Sequence, residues 1–211
     1  MRNQDLELVF KNCINELSEE FKEINLLDKQ VYLSWLAQTY FFTSHSEKTL
    51  KYISSKSQNN DESQRWSDHA TEEQGHENLA LGDLKRLNGN ISDYQEFEET
   101  AMLYRAQYYY CAINKSHACF GWILALEGLA ALIDKNHIAK IIETHGKRAC
   151  KFIEVHTNED PEHLDSAFEA ISKIADKEMI IENLISSTYF YKRMLQRVKE
   201  KAIEAKALEA A

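Results

Sequence analysis

Apolar residues recur at steps of three and four along almost the whole chain, and only one Pro and six Gly interrupt them. That period belongs to amphipathic helices, so the expected fold class is all-α, a helical bundle. Leu6, Phe10, Cys13, Leu17, Phe21 and Ile24 form a first stripe, and Asp28 is placed to cap a second helix carrying Val31, Trp35 and Tyr40. The polar run from Ser57 to Asp61 reads as a loop and cap, followed by a helix that stops near Asn88-Gly89. Ser92 is the expected cap of the next helix, which runs through Tyr108-Tyr109-Tyr110, and a more apolar helix follows from about His117 to Asp134. Two further helices are expected. One spans about His137 to His156; the other opens at Asp160-Pro161, with Asp at the cap and Pro in the first turn. Lys201 to Ala211 reads as a frayed or solvated helix end.

Composition narrows the classes of function. A chain of 211 residues fits one compact domain, 1–211, with a core of real size. The net charge is -9 and the acidic residues are spread along the chain, so there is no basic field for phosphates and nucleic acid is not an expected partner. The longest apolar stretch, Gly121 to Ile133, is interrupted by Glu127 and falls short of the about 20 residues a bilayer span needs, so no membrane association is expected. The N-terminus leads directly into an amphipathic pattern without the apolar core of a signal peptide, and a cytoplasmic location follows as the expectation. Cys13, Cys111, Cys119 and Cys150 are widely spaced and read as reduced core thiols.

Against that background a few polar residues stand where core residues belong. On a continuous helix Trp66, His69, Glu73, His76, Ala80, Leu84 and Leu87 share one stripe, which turns Glu73 and His76 inward together. Glu127 has the apolar helical neighbours Ile123, Leu124, Ala130 and Ala131 and no cation within one turn. His156, Asp160 and His163 stand at offsets that align them, with Pro161 as a complication for one unbroken helix. A buried carboxylate needs compensation, and a metal ion beside an imidazole supplies it. Carboxylates with imidazoles and no thiolate suit iron or manganese better than structural zinc. Glu73, His76 and His156 would hold one ion and Glu127, Asp160 and His163 the other. Three carboxylates against two divalent ions leave about one positive charge, which a substrate carboxylate would neutralise. Each segment alone reads as a solvated face or a helix cap; their conjunction on separate helices is what points to metal. His69 reads as a group behind the ligands or an ordinary core residue, His145 as a hydrogen-bonded core histidine, and Tyr40 with the tyrosines at 108–110 mostly as packing.

At these residues the chain resembles the heme-oxygenase-like diiron oxidases and oxygenases. Their ligands come as Glu with His on one core helix, a lone Glu on another and His-x-x-x-Asp-x-x-His on a third. Leu36-Ala37-Gln38-Thr39-Tyr40-Phe41-Phe42, then His45-Ser46, and Glu72-Glu73-Gln74-Gly75-His76 are also similar to this family, and the resemblance covers roughly residues 30 to 170. It implies a heme-oxygenase-like bundle of about seven helices, a homodimer, and two Fe(II) ions that activate dioxygen to oxidise a bound small molecule. Members desaturate, decarboxylate, fragment or N-oxygenate amino acids, fatty acids and related acids, and an external electron donor is a further partner consistent with that chemistry. The third-motif helix in the family is often poorly ordered without metal. Where some members carry a further Glu about two turns before the first-motif His, this chain offers His69, either as a group behind the ligands or as an alternative ligand.

Other classes fit less of the chain. A ferritin-like centre needs Glu and Glu-x-x-His twice over, and the first helices place no such Glu inside. A heme oxygenase needs an axial His near the start, whereas the first His here is His45. A cofactor-free thiaminase-like or quinone-synthase-like enzyme of the same fold would use Cys111 or Cys119 as nucleophile, and a metal-free interaction protein would keep the polar groups as buried hydrogen-bond networks.

Overall fold

The computed structural model describes residues 3–209, all of whose regular structure is helical: α1 (Asn3–Glu23), α2 (Lys29–Thr43), α3 (Ser46–Lys56), α4 (Asn60–Glu72), α5 (Glu77–Arg86), α6 (Glu98–Ala112), α7 (Phe120–Leu132), α8 (Lys135–His145), α9 (Lys151–Ser172) and α10 (Glu178–Glu209). Polar caps set several boundaries. Asp28 accepts from the backbone of Gln30 and Val31 at the start of α2, Asn59 from Glu62 at α4 and Asp134 from Asn136 at α8. Among the described residues no single helix is long and apolar enough to cross a membrane.

The bundle is built around α7, which packs against α9, α10 and α1. Two glycines set its depth. A Cβ on Gly121 would meet the Ile180 carbonyl oxygen at 2.2 Å and the Leu184 nitrogen at 2.4 Å, so α7 and α10 approach backbone to backbone only because this residue has none. A Cβ on Gly128 would meet the Phe10 ring at 2.6 Å and Ile14 at 2.9 Å, the corresponding contact with α1. All four cysteines are free and buried, as their spacing led us to expect.

Four expected boundaries shift. The helix expected from about residue 61 to Asn88 is two, because Gly75 takes φ +89° and breaks it, leaving Glu73 to close α4 and His76 to open α5. Ser92 does not cap α6. It lies in a short 3-10 turn capped by Asn90, and α6 begins only at Glu98, because Gln38 of α2 grips the intervening segment: its side chain donates to the Gln95 carbonyl and accepts from the Phe97 amide. The helix expected from His137 to His156 ends at His145, where Gly146 at φ +84° turns the chain. Asp160-Pro161 opens no helix, for α9 runs unbroken from Lys151 to Ser172 with Pro161 inside it. Proline removes one backbone bond there, and the burial of Ile153, Leu164, Ala167 and Ile171 along the same helix holds it together. The structure also adds α3, which the periodicity does not separate from α2. Within the solvated end expected from Lys201, the chain stays helical to Glu209, and 210–211 lie outside the described residues.

Candidate functional site

Four helices bring the inward polar residues together. α4 delivers His69 in its last turn and Glu73 at its end, the first residue of α5's boundary supplies His76, α7 supplies Glu127, and α9 supplies His156, Asp160 and His163 from successive turns of one face. They fall into two close sets: the donor atoms of Glu73, His76 and His156 lie within 4.8 Å of one another, and so do those of His69, Glu127 and His163. Asp160 stands outside both, its Oδ1 3.8 Å from His163 Nδ1. The partition therefore differs from the expected one at a single place, with His69 where Asp160 was expected.

In the first set, Glu73 Oε1 faces His76 Nδ1 at 3.4 Å. The His76 and His156 rings are 5.0 Å apart. His156 Nδ1 donates to the Phe152 carbonyl at 2.8 Å, which fixes its tautomer and leaves the Nε2 lone pair for a ligand. Burial keeps that imidazole's pKa below its usual value even beside Glu73, so it is the neutral form that a metal requires. For Glu73 burial works against ionisation, yet contact with His76 and the nearby imidazoles outweigh it and hold the carboxyl at about 2. His76 is raised by its contact with Glu73.

In the second set, His69 Nε2 lies 2.9 Å from Glu127 Oε1, and His163 Nδ1 lies 3.9 Å from the same oxygen. His69 is 4% exposed, Glu127 7% and Asp160 3%, so these groups have little water to fall back on. Burial depresses the His69 pKa, but the Glu127 carboxylate outweighs it and the net shift is upward. Glu127 Oε2 and His163 Nδ1 are buried with no hydrogen-bond partner, an arrangement that costs free energy in a protein of any function unless something else binds there. Burial, reinforced by the charges of Glu127 and Glu73, pushes Asp160 up to about 10, so without a cation it stays protonated at neutral pH. Orphaned acceptors, imidazoles with free nitrogens and no thiolate are a donor set that suits two first-row divalent ions.

An apolar cavity of about 90 Å³ opens from these residues. His69, Glu73, Glu127, His156 and Asp160 form its polar end, and Trp35, Phe42, Leu50, Trp122, Ile133 and Tyr191 are among the apolar walls; no Lys or Arg lines it. A second, polar opening on the other side of His69 and His163 is lined by Asp61, Arg65, Asp68 and Glu72. The remaining expected groups lie elsewhere. His145 donates to the Leu26 carbonyl at 2.6 Å and stacks on Tyr32, a hydrogen-bonded histidine as expected, though half-buried at the edge of the core. His45 stacks on Tyr104 and does not line the cavity. Tyr108 packs on Tyr52 and Tyr110 bonds to Glu182, and neither lines the cavity. Cys111 and Cys119 are fully buried and also absent from its walls. The residue that sequence reasoning undervalued is His69; its position one turn before Glu73 on the same stripe was the available signal.

No protein-family model and no curated protein matches the chain. Solved structures do. A domain of unknown function with a heme oxygenase-like fold from Shewanella denitrificans OS217 superimposes with a TM-score of 0.81 at 18% identity, over 98% of this chain and 95% of its own. A TenA homolog from Pseudomonas syringae pv. tomato strain DC3000 superimposes with a TM-score of 0.76 at 13% identity, over 93% of this chain and 92% of its own. The chain therefore has a heme-oxygenase-like fold.

Proposed function

We propose that the protein is a non-heme diiron oxidase or oxygenase that uses dioxygen to oxidise a small carboxylate-bearing substrate. The observation that carries this reading is the pair of donor sets, Glu73 with His76 and His156 and Glu127 with His69 and His163, beside Asp160, with Glu73, Glu127, His156 and Asp160 at the polar end of an apolar cavity and Glu127 Oε2 and His163 Nδ1 left unpartnered. Two iron(II) ions held by these residues would bind dioxygen and supply electrons for its reduction.

The side chains account for the rest. Trp35, Phe42, Trp122 and Tyr191 keep water from the reacting end. His156, pinned through Nδ1 by the Phe152 carbonyl, keeps its orientation as a ligand. Because no Lys or Arg lines the cavity, the positive excess of about one charge at the ions is what would orient a substrate carboxylate, while the aromatic and aliphatic walls hold an apolar body. Amino acids and fatty acids both carry the required carboxylate; an apolar side chain or tail is what the walls accept. The cofactor-free alternative needs Cys111 or Cys119 at the substrate, and neither lines the cavity.

The test is anaerobic iron(II) titration of the metal-depleted protein, followed by oxygen uptake in the presence of a library of small acids. Binding of two irons and uptake accelerated by one class of acid are expected. Absence of iron binding would sink the reading and favour a cofactor-free or interaction role.

A further inference from the structure

Resting on the diiron reading, we infer that His69 is itself a ligand of the inner ion, so that this site is an imidazole-rich set of His69, Glu127 and His163, with Asp160 as an outlying donor. Donors bound at about 2.1 Å to a common first-row ion stand about 3.0 Å apart when adjacent and about 4.2 Å apart when opposite. His69 Nε2 and Glu127 Oε1 are 2.9 Å apart, the spacing of adjacent ligands, and His163 Nδ1 and Glu127 Oε1 are 3.9 Å apart, the spacing of a wide angle. A role confined to hydrogen bonding would satisfy Glu127 Oε1 and leave His163 Nδ1 without a partner; one ion among the three residues would take one donor atom from each.

His69 is also held in place for the task. It sits in the last turn of α4 beside Trp66 and Ala70, both fully buried, and is itself 4% exposed, so it has little room to swing away. It forms part of the wall of both the apolar cavity and the polar opening, the partition an inner ion would occupy. An imidazole in this position makes the inner site softer than a carboxylate-only complement to Glu127 and His163 would be, and so favours iron(II) or cobalt(II) over manganese(II).

The experiment is anaerobic cobalt(II) titration of the metal-depleted full-length protein, read by equilibrium dialysis and by the visible ligand-field spectrum, on the wild type, His69→Ala, His69→Gln and His69→Glu. Loss of a group behind the ligands weakens a site 10- to 100-fold. His69→Ala and His69→Gln are both expected to weaken one of the two ions by more than about 100-fold and to change the spectrum, while His69→Glu restores stoichiometry with a spectrum of its own. X-ray absorption of the cobalt-loaded wild type, which needs no variant to fold, is expected to count two imidazoles per ion on average. Two ions with the wild-type spectrum in His69→Gln, or fewer imidazoles than that average, would overturn this inference while leaving the diiron reading intact. No cobalt bound by the wild type would overturn both.

Discussion

The imidazole of His69 and the carboxylate of Glu127 meet at 2.9 Å between α4 and α7, and both are almost wholly buried. The contact satisfies one oxygen of Glu127 and leaves the other bare. A buried carboxylate half-satisfied in this way is stable only with further compensation, which makes the pair a sensitive point for substitution.

Glu127→Ala and His163→Ala are each expected to remove the inner iron while leaving the ion at Glu73, His76 and His156, because the two donor sets share no residue. Iron content per chain, measured after dialysis, should halve in both variants. Unchanged content would place the inner ion elsewhere.

The metal-free protein has a pH dependence of defined sign. Asp160 sits at about 10 when folded against 3.8 as a free carboxyl, so the folded state holds the proton and stability falls as pH rises between those values. His76, raised above 6.5, contributes stability that is fully present below 6.5 and lost as pH rises through its folded value. Glu73, at about 2 against 4.5, contributes stability above 4.5 that is lost only as pH falls toward 2. Thermal melts in chelator should therefore show Tm falling from pH 6 to pH 9, and Asp160→Asn should flatten most of that slope. A flat wild-type profile would contradict the assignment of Asp160 as the protonated group.

Gly121→Ala drives a methyl into the α10 backbone. Overpacking against an atom that cannot rotate aside should cost roughly 3 kcal/mol and lower Tm by on the order of 10 °C. Gly75→Ala meets only the Asn78 side chain, at an ordinary 3.9 Å, but sits at a positive φ, and the expected loss is about 1 kcal/mol. Differential scanning calorimetry separates the two.

Filling the cavity should separate substrate binding from metal binding. Leu129→Trp places a bulky ring in the apolar wall without replacing any candidate ligand. Iron stoichiometry is expected to stay at the wild-type value while substrate-stimulated oxygen uptake drops by at least about tenfold, roughly the effect of 1.4 kcal/mol.

Cys111→Ala and Cys119→Ala should cost about 1 kcal/mol of stability each through lost packing and leave oxygen uptake unchanged, since neither thiol lines the cavity. Abolished turnover in a folded variant would revive the nucleophilic alternative.

The helical class and most of the inward-facing residues were legible because burial writes a three- and four-residue period into the chain, and Glu73, Glu127 and His156 stood out as polar residues inside it. What was not legible depends on contacts across the fold. Gln38 reaching Gln95 and Phe97 displaced the start of α6, an effect no local signal at Ser92 announces. Pro161 suggested a helix start, but packing of α9 on α7 overrides that propensity. Gly75 and Gly146 were visible as residues, while their positive φ, which divides two expected helices, is a property of the folded backbone. The place of His69 against Glu127 likewise depends on the approach of α4 to α7, which sequence spacing on a single helix does not report.

Gly121 and Gly128 lock α7 against α10 and α1 on two sides, and Glu127 rides on that locked segment. The candidate ligands opposite it stand beside backbone irregularities: Glu73 and His76 flank the positive-φ turn at Gly75, and Asp160 and His163 flank Pro161, where α9 lacks one backbone hydrogen bond. On the diiron reading Glu127 would be the fixed reference of the centre, and a change in ionic radius or in coordination number would be taken up at the α4–α5 junction and around Pro161.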